Sequence, residues 1–89
     1  MSAAAPTPLA ARVTALVLNH LGADPERVTP DSSLTRDLGC DSLDVVEIAM
    51  AIEHDLGIEA MPDTELQAVR TLQQLIDVVA RHAPAGVVA

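Results

Sequence analysis

The segment from Asp37 to Met50 constrains the fold more than any other part of the chain, because it reads as a loop that turns into a helix. Gly39 provides the backbone freedom to end the loop, and Asp41 is a favourable N-cap residue. Ser42 therefore falls at the first helical position with its hydroxyl exposed. With Gly57 as a left-handed terminator, we expect a helix from about Ser42 to Leu56.

This helix has apolar residues on two opposite faces. At about 100° per residue, one arc is an ordinary core face. It consists of Val45, Ile48, Ala49, Ile52 and Leu56. The opposite side carries a second apolar stripe, flanked by Glu47 and Glu53, that consists of Leu43, Val46 and Met50. A soluble helix packed on one side does not need a second stripe, so we expect another molecule to contact it.

The Asp-Ser-Leu sequence at 41–43, preceded by Asp-Leu-Gly at 37–39 and followed by an acidic and aliphatic helix, resembles the acyl carrier proteins over nearly the whole chain. The resemblance implies that Ser42 carries a covalent 4′-phosphopantetheine arm, on whose thiol an acyl group rides. It also implies that the helix recognises partner enzymes through Asp41, Leu43, Asp44, Val46, Glu47, Met50 and Glu53. In this family the acyl group can be sheltered between helices, here near Ile48, Ala49, Ile52 and Leu75.

The remaining pattern predicts further helices on either side of this segment. The first begins with Thr7 as cap and Pro8 at its first position, and ends at Gly22. Its apolar stripe consists of Leu9, Val13, Leu16, Val17 and Leu21. A short helix is expected from Asp63 to Val69. The last helix starts at Thr71, which forms a capping box with Gln74, and is ended by Pro84. Its buried stripe consists of Leu72, Leu75, Ile76 and Val79.

A long connection of residues 23–40 separates the first two main helices and is rich in turn-forming residues. We expect Val28, Leu34 and Leu38 to anchor it, and a short helical turn near Asp24 to Val28. The predicted fold class is all-α, a small bundle of three main helices plus one short helix with a long ordered loop between helices 1 and 2. The carrier domain spans residues 7–83, and residues 1–6 and 84–89 are predicted to be disordered tails.

Charge favours protein partners over nucleic acid or a membrane surface. The formal net charge is −8, and residues 37–69 contain nine acids and no Arg or Lys. Such a surface repels phosphates and attracts basic protein patches. With a single cysteine, no signal-peptide pattern and no membrane span, we expect a monomer in the cytoplasm.

Enzymatic and metal-binding patterns are absent from the sequence. Ser42 has no base nearby in sequence, since His54 lies about 18 Å along the same helix. The segment also lacks the second glycine of a nucleophile elbow. The other histidines, His20 and His82, show no metal-binding spacing, so we predict neither catalysis nor a metal site. Cys40 is interpreted as a small packing residue, because nearby acids oppose thiolate formation. A resolving role, an acyl acceptor and an intermolecular disulfide are the alternatives at this stage.

The sequence thus predicts a free-standing acyl carrier protein, loaded by a phosphopantetheinyl transferase and serving acyl-loading and ketosynthase-type enzymes of a fatty-acid, polyketide or related pathway. Two alternatives remain at this stage. One is an aminoacyl or peptidyl carrier. The other is an acidic helical adaptor without a prosthetic group, in which Ser42 only caps its helix.

Overall fold

The computed structural model describes residues 8–84. Its elements are α1 (Pro8–Leu21), a 3-10 turn (Pro25–Arg27), α2 (Ser42–Leu56), α3 (Asp63–Ala68) and α4 (Leu72–His82). The predicted all-α bundle with a short third helix and a long loop is therefore confirmed. The Thr7 cap and the predicted tails, apart from Pro84, lie outside the described residues.

The core forms where α1 packs against both α2 and α4, while α3 packs against α4. The most deeply buried side chains come from all three long helices and are Val13, Val17, Ile52 and Val79, each 0% exposed. The aliphatic stripes predicted from helical spacing supply this core. The sequence has no aromatic residue, so aliphatic side chains must fill the space between the helices. In α2 the predicted core face is buried except for Val45, which is half-buried.

Local capping chemistry sets the boundaries of α2 and α4. The Asp41 side chain accepts a hydrogen bond from the Asp44 N–H, and the Asp44 side chain accepts one from the Asp41 N–H. Thr71 and Gln74 form the same reciprocal pair at α4. Gly57 ends α2 at φ 71°, in the left-handed region that favours glycine. The N-cap side chains Asp41 and Thr71 each contribute about 1 kcal/mol.

The long loop is ordered because it binds the start of α4. The N–H groups of Leu72 and Gln73 donate to the carbonyls of Ser32 and Pro30, at 3.0 and 2.9 Å. These are helix N-terminal donors that have no partner within the helix itself. The Leu34 N–H also donates to the Arg70 carbonyl at 3.0 Å. Leu34 is buried, as predicted for an anchor, and fixes the segment that leads into α2.

Side-chain contacts tie the shorter segments to this frame. The Met61 N–H donates to Glu53 Oε2 at 2.7 Å, which holds the connector between α2 and α3 against α2. Glu65 on α3 pairs with Arg81 at 2.8 Å and with His82 at 3.0 Å, both on α4. These contacts hold the connector against α2 and α3 against α4. None of the helices within residues 8–84 has both the length and the hydropathy that a membrane span requires.

Candidate functional site

Ser42 is the first residue of α2, and its side chain is exposed at the helix start. The two capping interactions at this end are already made by Asp41 and Asp44, at 2.9 and 3.1 Å. The hydroxyl of Ser42 is therefore not required to cap the helix. Its position, next to backbone N–H groups at the positive end of the helix dipole, favours a covalently held anion such as a phosphodiester.

A cavity of about 590 Å³ opens beside Ser42, between the end of the long loop, the first turns of α2, and α3. Its apolar wall consists of Leu34, Cys40, Val45, Val46, Leu66 and Val69. Its polar residues besides Ser42 are Thr35, Asp41, Asp63, Gln67 and Arg70. A slim, mostly apolar group attached at Ser42 could lie along this wall.

The cavity is not where the sequence placed a sheltered cargo. Ile48, Ala49, Ile52 and Leu75 are each at most 3% exposed and fill the core. None of them lines the cavity, whose apolar α2 wall is formed by Val45 and Val46, about one turn from the helix start. The spacing of apolar residues along α2 distinguishes its core face from its exposed face. It does not predict the position of α3, which forms the opposite wall of the cavity and depends on tertiary contacts.

The second apolar stripe of α2 is exposed, as predicted. The exposed fractions are 63% for Leu43, 51% for Val46 and 62% for Met50, and these are the large hydrophobic side chains most accessible in the described chain. The stripe begins beside Ser42, so a group attached there emerges at its edge. A short apolar stripe bordered by acids is typical of a protein-binding surface.

The acids around the stripe differ in what they contact. Asp41 and Asp44 belong to the capping box, and Glu47 is half-exposed. Glu53, which the sequence assigned to partner binding, has one carboxylate oxygen bonded to the Met61 N–H. That bond stabilises the α2–α3 connector, so Glu53 has a structural role that spacing along α2 could not reveal.

His20 at the end of α1 reaches two of these acids. Its Nε2 lies 3.5 Å from Asp44 Oδ1 and 3.2 Å from Glu47 Oε1. Hydrogen bonds, first from the Asp41 N–H and then from His20, lower the pKa of Asp44 below its usual value. The three side chains could together hold a metal ion, since their ligand atoms all lie within 4.8 Å of one another. Sequence spacing missed the group because its members come from two helices.

Cys40 precedes the capping box and is 2% exposed. Burial raises the pKa of its thiol to about 11, and the nearby Asp44 and Asp41 carboxylates act in the same direction. The thiol is therefore protonated at neutral pH and is a poor nucleophile. This agrees with the prediction that Cys40 is a packing residue.

Arg70 is a charged cavity residue that the sequence reasoning did not single out. It follows the acidic segment, and its guanidinium donates to the carbonyls of Gln67 and Val69 at 2.7 and 3.2 Å. These bonds hold Arg70 at the end of α3, where it brings a positive charge to the otherwise acidic rim. Within the described cavity wall there is no histidine, so nothing there can act as an imidazole base for Ser42.

Comparisons with known proteins agree with this arrangement. Residues 11–79 match a family model described as a phosphopantetheine attachment site. An acyl carrier protein of Thermosynechococcus vestitus is 43% identical over 68 residues, which cover 76% of this chain and 83% of the relative. One of Syntrophobacter fumaroxidans is 38% identical over 74 residues, covering 83% of this chain and 90% of the relative. The structure of a candidate acyl carrier protein from Mycobacterium tuberculosis superposes with a TM-score of 0.75 at 25% identity, covering 82% of this chain and 96% of that one.

Proposed function

Because this chain belongs to the acyl carrier protein family, whose members hold a covalent 4′-phosphopantetheine group, we propose that Ser42 is the residue to which that group is attached. The chain is accordingly a carrier and not an enzyme. The observation that carries the assignment is the exposed Ser42 hydroxyl at the start of α2, beside an open cavity and unused by the capping box.

The surroundings of Ser42 offer contacts both for the phosphodiester and for the arm of the proposed group. When bound, the group supplies a thiol that holds the cargo as a thioester. The N–H groups at the start of α2 favour the phosphodiester, while Asp41 and Asp44 partly oppose it. Val45, Val46 and Leu66 offer an apolar wall for the arm or its cargo. Tethering keeps the cargo at high effective concentration near a docked enzyme.

The proposed docking face for partner enzymes is the exposed side of α2. It consists of Leu43, Val46 and Met50 with the acids Asp41, Asp44 and Glu47. We leave Glu53 out, since its carboxylate is bonded to the Met61 N–H. The acids steer basic patches of a phosphopantetheinyl transferase and of acyl-loading or ketosynthase-type enzymes towards Ser42, and the apolar stripe then buries surface on contact.

The proposed setting is a fatty-acid, polyketide or related biosynthetic pathway in the cytoplasm. Support for the acyl branch comes from the relatives, which are named acyl carrier proteins. Transfer assays with purified ketosynthases of fatty-acid and polyketide systems separate the two pathways. A clear preference for one class assigns the pathway, and transfer by neither class contradicts both assignments.

Attachment is tested by intact mass spectrometry of the full chain incubated with coenzyme A and a broad-specificity transferase. The wild-type protein and a Cys40→Ala control should each gain the mass of one phosphopantetheine group. The Ser42→Ala variant, which keeps the capping box, should gain none. Loading of Ser42→Ala, or no loading of a folded wild-type protein, would contradict the proposal.

The docking face is tested by charge reversal. Glu47→Arg should keep the fold while the rate of loading falls at least tenfold at low salt, because a repulsive charge replaces an attractive one. Glu26→Arg, an exposed change on the 3-10 turn, makes the same change in net charge away from α2 and serves as the matched control. Equal loading rates for the two variants would exclude a specific role for this face.

A further inference from the structure

We propose that His20, Asp44 and Glu47 form a binding site for one divalent transition-metal ion such as zinc, at the junction of α1 and α2. Each residue offers one ligand atom, and all of these atoms lie within 4.8 Å of one another. The donor set is one imidazole nitrogen and two carboxylate oxygens. It suits zinc and similar transition metals better than calcium or magnesium, which prefer oxygen ligands throughout.

Two of the three separations between ligand atoms match tetrahedral coordination, and the third, between the two carboxylates, lies within 4.8 Å. Zinc binds nitrogen and oxygen ligands at roughly 2.0–2.1 Å, so two ligands of a tetrahedral site lie about 3.3 Å apart. His20 Nε2 lies 3.2 Å from Glu47 Oε1 and 3.5 Å from Asp44 Oδ1. Two ligand separations of the required length are therefore present without repacking. A water molecule would complete the fourth position, which is open because all three side chains are partly exposed.

The capping contact holds Asp44 through the oxygen that does not face His20, and a cation would replace the contacts that His20 makes with Asp44 and Glu47. Asp44 uses Oδ2 to accept from the Asp41 N–H in the capping box, and its Oδ1 faces His20. Asp44 and Glu47 are three residues apart on α2, so their side chains share one face of the helix. His20 comes from the last turn of α1, which packs against α2. This preorganisation lowers the entropic cost of binding.

Binding at this site would change the docking face. A cation held by Asp44 and Glu47 neutralises two of the acids that steer basic partners, so loading at Ser42 should slow when the site is filled. This consequence rests on the proposed function, whereas the site itself does not. The two are distinguishable because metal binding is measured on unmodified protein without any partner enzyme.

The test uses tag-free, unmodified full-length protein titrated with zinc by calorimetry and with cobalt by visible absorption. We expect one equivalent of zinc and the intense absorption of tetrahedral cobalt. The His20→Gln and Glu47→Gln variants should each bind at least tenfold more weakly. His82→Gln is the matched control, since it removes a histidine that also pairs with a glutamate, Glu65, and should bind as the wild type does.

Two results would overturn the proposal. One is binding of equal strength in the His20→Gln variant and the His82→Gln control, which would indicate diffuse attraction of cations to an acidic surface. The other is the weak absorption of octahedral cobalt in the wild-type protein. Circular dichroism of each variant, compared with the wild type, shows whether the helices remain folded.

Discussion

Replacing Glu53 tests whether this residue acts in partner docking or in holding the fold. The structure shows its carboxylate accepting a hydrogen bond from the Met61 N–H at 2.7 Å, across the α2–α3 connector. Met61 is 4% exposed, so its N–H has little access to water if the acceptor is removed. Glu53→Ala therefore leaves a largely buried donor unpaired.

The expected magnitude follows from the kind of bond that is lost. Hydrogen bonds to charged groups contribute about 1.5–3 kcal/mol, and an unpaired buried donor costs a similar amount. Glu53 is only half-buried, so water can replace part of the bond, which favours the lower end of the range. We expect Glu53→Ala to lower the free energy of unfolding by about 1.5 kcal/mol, or Tm by about 6–12 °C for a domain of this size. Glu53→Gln keeps a neutral acceptor and should lose about half as much.

Urea unfolding followed by the helical circular dichroism signal measures these values, because the chain has no aromatic residue to serve as a fluorescent probe. Glu47→Ala is the matched control on the same helix. Its carboxylate is half-exposed and pairs with His20, so the loss should stay below about 0.5 kcal/mol. Equal stabilities of Glu53→Ala and Glu47→Ala would refute the structural role of Glu53.

Three further predictions concern the packing of the core, the reactivity of the Cys40 thiol and the dependence of stability on acidic pH. Ile52→Ala removes a side chain that is 0% exposed and should cost about 2–5 kcal/mol in urea unfolding; a loss below 1 kcal/mol would contradict the packing described. Cys40, whose pKa is raised to about 11, should be alkylated at pH 8 at least tenfold more slowly in the native protein than in urea, and equal rates would contradict its burial. Hydrogen bonds, first from Arg81, lower the pKa of Glu65, so its contribution to stability is present above its unfolded-state pKa and is lost as the pH falls through the lowered folded-state pKa. On acidification over that range, the free energy of unfolding should fall less for Glu65→Gln than for the wild type. Parallel curves of unfolding free energy against pH would contradict this.

Local chemistry made much of α2 predictable from the sequence. The Asp41 cap, the helix start at Ser42 and the Gly57 terminator all depend on residues within a few positions of one another. The same holds for the Thr71 capping box of α4. The family resemblance carried by residues 37–43 is confirmed by the match over residues 11–79.

The contacts that complete the site were not predictable in this way, because each joins residues that are distant in sequence. The bond between Glu53 and Met61, the approach of His20 to α2 and the bonds that tie the long loop to α4 all depend on how the helices pack. Periodicity gave the faces of α2, but it could not place α3 opposite Val46. The cavity beside Ser42 was therefore not predicted, and the shelter expected near Ile48 and Ile52 stays a prediction.

The central claim is that Ser42 holds the prosthetic arm on which the cargo travels. Its most direct test is fragmentation mass spectrometry of the peptide that contains the start of α2, after transferase loading of the folded full-length chain. The account predicts phosphopantetheine on Ser42 and on no other residue. An adduct on a different side chain, or an unmodified peptide from a well-folded protein that several transferases have failed to load, would contradict it.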